Sequence, residues 1–120
     1  MSAREVPSGV LETFPEIAMQ RTCFTFELVP GQEEEYDRRH GAVWPELTAA
    51  LTAAGVGNYT IFRRGRSVIA YAECEPDAAT AFGRVAETEV NKRWNDWFSG
   101  VIVNLPGGGL ATVPEVWHLG

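Results

Sequence analysis

The sequence predicts an α+β domain in which strands and helical regions follow one another as β-α-β-β-α-β, and three observations carry this. Residues 21–29 are dominated by β-branched and aromatic side chains in loose alternation, with Thr22, Phe24, Phe26 and Leu28 on one side. Residues 57–63 and 67–75 alternate in the same way on either side of Arg64-Gly65-Arg66, which reads as a hairpin. Residues 32–54 place Tyr36, His40, Trp44, Leu47 and Leu51 at spacings of four, four, three and four, which is one face of an α-helix.

Each element has its own signals. Residues 1–20 show no sustained periodicity and are punctuated by Pro7, Gly9 and Pro15, so they read as an N-terminal extension to a single domain over 21–120. Pro30-Gly31 ends the first strand, and Glu33, Glu34 and Glu35 put negative charge on a first helical turn, where the helix dipole favours it. Pro45 removes a backbone donor, so this helix is expected to break between Gly41 and Pro45, just after His40. Gly55 closes it as a left-handed cap. Pro76-Asp77 opens the second helical region, and Thr88 caps a restart that runs to about Phe98. Residues 101–112, with Pro106-Gly107-Gly108-Gly109, read as a loop, and 113–119 as a last strand with Pro114 near its start. This order is the ferredoxin-like plan, a four-stranded antiparallel sheet with its helices on one face. Apolar side chains on both sides of the strands predict that the open face is covered, with a homodimer through the sheet faces as the expected solution.

With 120 residues, 45% of them hydrophobic and 22% charged, the chain is the size of one globular domain. The net charge of −6 supplies no basic face for nucleic acid or an anionic membrane. Cys23 and Cys74 lie far apart, each in an expected strand, and read as buried free thiols of a reducing compartment. No apolar run approaches the roughly 20 residues that span a bilayer, and no signal-peptide pattern opens the chain, so a cytoplasmic location is expected.

The helical stripe carries the chemistry. A phenol and an imidazole on adjacent turns of a core-facing surface, beside a backbone break, form an arrangement that is expensive to bury. The motifs Glu35-Tyr36, Arg38-Arg39-His40, Trp44-Pro45-Glu46-Leu47, Asn58-Tyr59, Arg93-Trp94 and Glu115-Val116 resemble the L-rhamnose mutarotase family, and the resemblance runs from about Arg21 to Leu119. It implies a dimeric α/β-barrel enzyme of ferredoxin-like fold that interconverts the α and β anomers of L-rhamnose or a related 6-deoxy sugar without cofactor or metal. By the same resemblance His40 falls on the catalytic proton donor, Tyr36 and Tyr59 on sugar-contacting tyrosines, and Trp94 on the first of two adjacent tryptophans. Asn95 stands at the second tryptophan position, a departure that bears on which sugar is taken.

The residues agree with that chemistry. Anomer exchange needs a proton given to the ring oxygen and another removed from the anomeric hydroxyl, and a side chain titrating near neutrality serves both directions. Aromatic faces suit the C–H patches of a sugar, and tyrosine hydroxyls bond its oxygens. The other histidine, His118, is expected to be structural within the last strand. Arg38 and Arg39 read as a solvated helix face or as partners of the Glu-rich turn, and Trp97 and Phe98 as core. Two other classes fit the same residues: a cofactor-independent monooxygenase acting on an aromatic substrate, and a non-catalytic sugar-binding module.

Overall fold

The structure, a computed structural model, describes residues 18–103 and 111–120. Its elements are β1 (Gln20–Glu27), α1 (Glu33–His40), α2 (Pro45–Ala54), β2 (Val56–Arg64), β3 (Ser67–Cys74), α3 (Ala78–Ala86), α4 (Glu89–Trp97) and β4 (Ala111–Thr112). The strands form one antiparallel sheet in the order β2-β3-β1-β4, which is the ferredoxin-like arrangement. Nearly all of the expected N-terminal extension and the Gly107-Gly108-Gly109 loop lie outside the described residues.

Both helical regions break where the sequence breaks them. Trp44 precedes a proline, which pushes it to an extended φ of −61° and ψ of 131°. Helix α1 therefore stops at His40, and α2 restarts with Pro45 at its first position. Gly55 ends α2 with φ at +104°, and a Cβ built there would lie 2.2 Å from the Glu75 carbonyl oxygen. Asp77 caps α3 by accepting from the Thr80 amide at 2.7 Å, and Thr88 caps α4 by accepting from Asn91 at 3.2 Å.

The helices cover the sheet face formed by Phe24 and Phe26 of β1 and by Val68, Ala70, Ala72 and Cys74 of β3. Two clusters fill this layer. One gathers Ala54, Val56, Ala72, Cys74, Ala81 and Val85; the other gathers Leu28, Tyr36, Val68, Phe98 and Val101, with Trp94 and Trp97 packed against it. A bulge in β2 between Gly57 and Thr60, with Asn58 at φ +44°, inserts one residue into the strand. The extra residue shifts the alternation, so Val56, Tyr59 and Ile61 all lie on the helix-covered side.

Three expectations need correction. The last strand is Ala111–Thr112, not 113–119. The Val113 amide still donates to the Cys23 carbonyl at 2.8 Å, but Pro114 then holds φ near −65°, away from the roughly −140° of an antiparallel strand. His118 consequently sits in an exposed irregular segment, alongside Val116, Trp117 and Leu119. Secondly, the open face is mixed rather than apolar. The register sets Arg21 opposite Glu73 and Cys23 opposite Tyr71, and Glu73 accepts from Asn58 at 2.7 Å and from Tyr71 at 2.8 Å. Thirdly, Cys74 is buried but Cys23, on that open face, is only half-buried.

Candidate active site

A broad cleft opens between the sheet and the helices, and Tyr36, His40, Tyr59, Trp94 and Asn95 all line it. They come from α1, β2 and α4. The stripe read from the sequence becomes two buried residues, Tyr36 and Leu47, with His40, Trp44 and Leu51 half-buried.

His40 ends α1. Its ring lies against Tyr36, centroids 4.3 Å apart at 32°, and meets Trp94 edge-to-face at 5.5 Å and 89°. Its Nδ1 is 3.2 Å from the Tyr36 carbonyl oxygen. A carbonyl can only accept, so Nδ1 carries the proton and Nε2 is the nitrogen free to take or give one. Burial pushes the imidazole pKa down, against the opposing effects of the Tyr36 carbonyl and of Asp37. The ring is therefore neutral near pH 7.

Trp94 is braced in turn. It meets Trp44 edge-on at 5.0 Å and Trp97 at 5.4 Å, while Trp44 and Trp97 stack at 5.2 Å and 22°. Tyr59 belongs to a separate aromatic group, with Phe24 at 6.4 Å and Phe82 at 5.7 Å, and is part-exposed to the cleft. Burial raises the pKa of Tyr36 above the ordinary phenol range and pushes that of Tyr59 up to about 12. Both stay protonated and can donate. Among the described residues neither hydroxyl has a protein partner, whereas that of Tyr71 donates to Glu73 at 2.8 Å. Asn95 is exposed and sits at the rim of the cleft.

Sequence reasoning did not single out Thr22, Thr48 and Asn91, which supply further polar lining. Signals for them existed: Thr22 alternates in phase with Phe24 and Phe26, and Asn91 is three residues before Trp94 on α4. Nor did it tie Asp37 to Arg63 of β2, which donates to its two carboxylate oxygens at 2.8 and 2.6 Å. Arg38 pairs with Glu35 as expected, but Arg39 does more than cover a helix face: its guanidinium lies over the Trp97 ring at 4.8 Å. Among the described residues no three His, Cys, Asp or Glu side chains gather as a metal-binding set.

The helix-covered cleft of this ferredoxin-like sheet brings one histidine together with tyrosine and tryptophan side chains. Residues 21–119 match the family model described as L-rhamnose mutarotase. A relative of that name from Listeria monocytogenes serotype 4b (strain F2365) is 34% identical over 103 residues, covering 84% of this chain and 99% of its own. Another, from Burkholderia orbicola (strain MC0-3), is 37% identical over 90 residues, covering 75% and 86%. The crystal structure of L-rhamnose mutarotase FA22100 from Formosa agariphila superposes with a TM-score of 0.70 at 27% identity, covering 84% of this chain and 99% of that one. The chain belongs to the L-rhamnose mutarotase family, a family of isomerases.

Proposed function

We propose that this protein interconverts the α and β anomers of L-rhamnose or a related 6-deoxy sugar, with His40 as the proton carrier. The observation that carries the reading is the Nδ1 contact to the Tyr36 carbonyl at 3.2 Å, which leaves Nε2 of a neutral imidazole as the working nitrogen beside Trp94. Nε2 takes the proton of the anomeric hydroxyl as the bond between the anomeric carbon and the ring oxygen breaks. It then returns a proton to that ring oxygen. Both oxygens sit on one carbon, so one nitrogen reaches each in turn. The open aldehyde rotates about its bond to the next carbon, and the reverse sequence closes the ring on the other face. Tyr36 and Tyr59 donate to sugar oxygens, the Trp94 face packs on the C–H side of the ring, and Asn95 contacts the sugar's edge.

The test is proton NMR saturation transfer between the anomeric signals of several 6-deoxy sugars, with and without protein. Faster exchange for L-rhamnose is expected. Saturable sugar binding with no faster exchange would make this a binding module. Oxygen uptake with a quinol-type substrate would make it a monooxygenase.

The working unit in this reading is a homodimer joined through the open sheet faces. Phe62, 59% exposed, lies on that face with Ile69 and Tyr71, and the C-terminal segment exposes Val116 at 92% and Trp117 at 76%. So much apolar surface on a small domain fits a second copy. Sedimentation at micromolar concentration should give twice the monomer mass, and a monomer there removes the basis for the dimer. A cytoplasmic location completes the reading, supported by the two free cysteines.

A further inference from the structure

Arg39 is the residue before His40, and nothing in the proposed proton transfer uses it. Its side chain is 17% exposed, an unusual placement for a cation. Nε donates to the Glu35 carboxylate at 2.5 Å, one turn back on the same helix. Nη1 donates to the Trp97 carbonyl oxygen. That oxygen belongs to the last turn of α4, where carbonyls have no partner within the helix, so the guanidinium serves as a cap from a different element. Its Cζ also lies over the Trp97 ring, 4.8 Å from the centroid, and over the Phe98 ring at 5.5 Å.

These contacts meet at one junction. α1 carries Tyr36 and His40, α4 carries Trp94, and the α1 backbone approaches no other described element closely. Side chains, together with the short 41–44 connection into α2, set how α1 lies against α4. Phe98, which the Arg39 guanidinium flanks, touches the His40 ring at 5.2 Å and the Tyr36 ring at 5.7 Å.

We propose that Arg39 is a positioning residue for anomer exchange: its guanidinium locks α1 to the end of α4 and so fixes the His40 imidazole edge-on against Trp94. This rests on the reading of His40 as the proton carrier. The role calls for arginine specifically. A lysine can pair with Glu35, but it cannot also stack on an indole and cap a carbonyl with a rigid fork. A histidine displaced by about 1 Å from its productive place loses up to ~100-fold in rate.

The experiment compares Arg39→Lys, Glu35→Gln and Arg38→Ala for L-rhamnose exchange, with thermal unfolding measured on the same preparations. Arg39→Lys should lower kcat ~10–100-fold while KM changes by less than about threefold, with the protein folded at the assay temperature. Glu35→Gln, which removes the anchor of the same guanidinium, should lower kcat in the same direction by less. Arg38→Ala, whose side chain is 66% exposed on the same carboxylate, should leave kcat within about twofold. Guanidinium ion added to Arg39→Ala should restore part of the rate. In a His40→Ala background Arg39→Lys should bring no further loss, since both act on one step. A folded Arg39→Lys protein with the parent kcat overturns the inference, as does a loss that adds in full to that of His40→Ala. Should Arg39→Lys not fold, a folded Glu35→Gln protein with the parent kcat overturns it equally. A folded His40→Ala protein with the parent rate instead overturns the function on which the inference rests, so the two failures are told apart.

Discussion

The layer between sheet and helices has two ends built on opposite terms. At one end Ala54, Ala72, Cys74 and Ala81 are small, almost fully buried, and let α2 and α3 approach the sheet closely. At the other, large rings meet in tilted and edge-to-face pairs around His40, and the layer opens into a cleft. Small side chains leave no polar atom to satisfy and little room to move. Rings hold space open while keeping directional contacts, and they leave hydroxyls and an imidazole facing that space. The molecule thus separates a tightly packed end from an open, ring-lined end, which is the end the proposed function uses.

The largest effect that sharpens this contrast is at His40. His40→Ala should lower anomer exchange by about 10²–10⁴-fold, the usual contribution of a general acid–base group, with thermal unfolding of the same preparation little changed. A well-folded variant that keeps more than about a third of the rate would remove His40 from the chemistry. The converse effect belongs to the small-residue end. Gly55→Ala forces a side chain onto a backbone at φ +104° and against the Glu75 carbonyl. It should cost more than about 2 kcal/mol in urea unfolding, since a left-handed non-glycine residue alone carries about 1–3 kcal/mol, while the rate per folded molecule holds. A stability within about 0.5 kcal/mol of the parent would show that this end is not the rigid one.

A smaller effect follows from pH. Burial depresses the His40 pKa in the folded chain, so between that value and the ordinary 6.5 the unfolded chain binds the extra proton. The stability that depends on a neutral His40 is complete above 6.5 and is lost as pH falls through the folded-state value. Denaturant unfolding from pH 7 downwards should therefore lose stability less steeply in His40→Gln than in the parent, and equal slopes would contradict a buried neutral imidazole. The smallest expected effect is at the rim. Asn95→Trp should redistribute relative rates among 6-deoxy sugars by a few-fold, the scale expected when an apolar ring replaces an amide at the edge of a pocket. Identical ratios across a panel would place Asn95 outside the sugar's reach.

Much of this was legible because the signals are local. Pro45 forces Trp44 out of the helix, Gly55 takes the left-handed turn, and Thr88 caps α4, each through atoms a few residues apart. The placement of Tyr36 and His40 beside one cleft was legible for the same reason, the two being one turn apart on α1. What the chain concealed depends on distant partners. The inner placement of Tyr59 agrees with its alternation only because a bulge at Asn58 resets the phase after Val56, and a bulge exists only relative to β3. Arg39 looks like a surface cation until Trp97, 58 residues later in the chain, is folded beneath it.

Helix α1 has only eight residues, fewer than the roughly 12–15 that hold a helix in water without help. β1 and β3, by contrast, are paired along eight consecutive positions in the middle of the sheet. α1 is the shortest of the described helices and its backbone packs on no other described element, so its sub-global opening is expected before that of β1 and β3, and it takes Tyr36 and His40 with it. Amide protons of α1 will exchange with solvent while those of β1 and β3 stay protected. On warming, activity is expected to be lost before the sheet melts, in the reading that makes His40 the proton carrier.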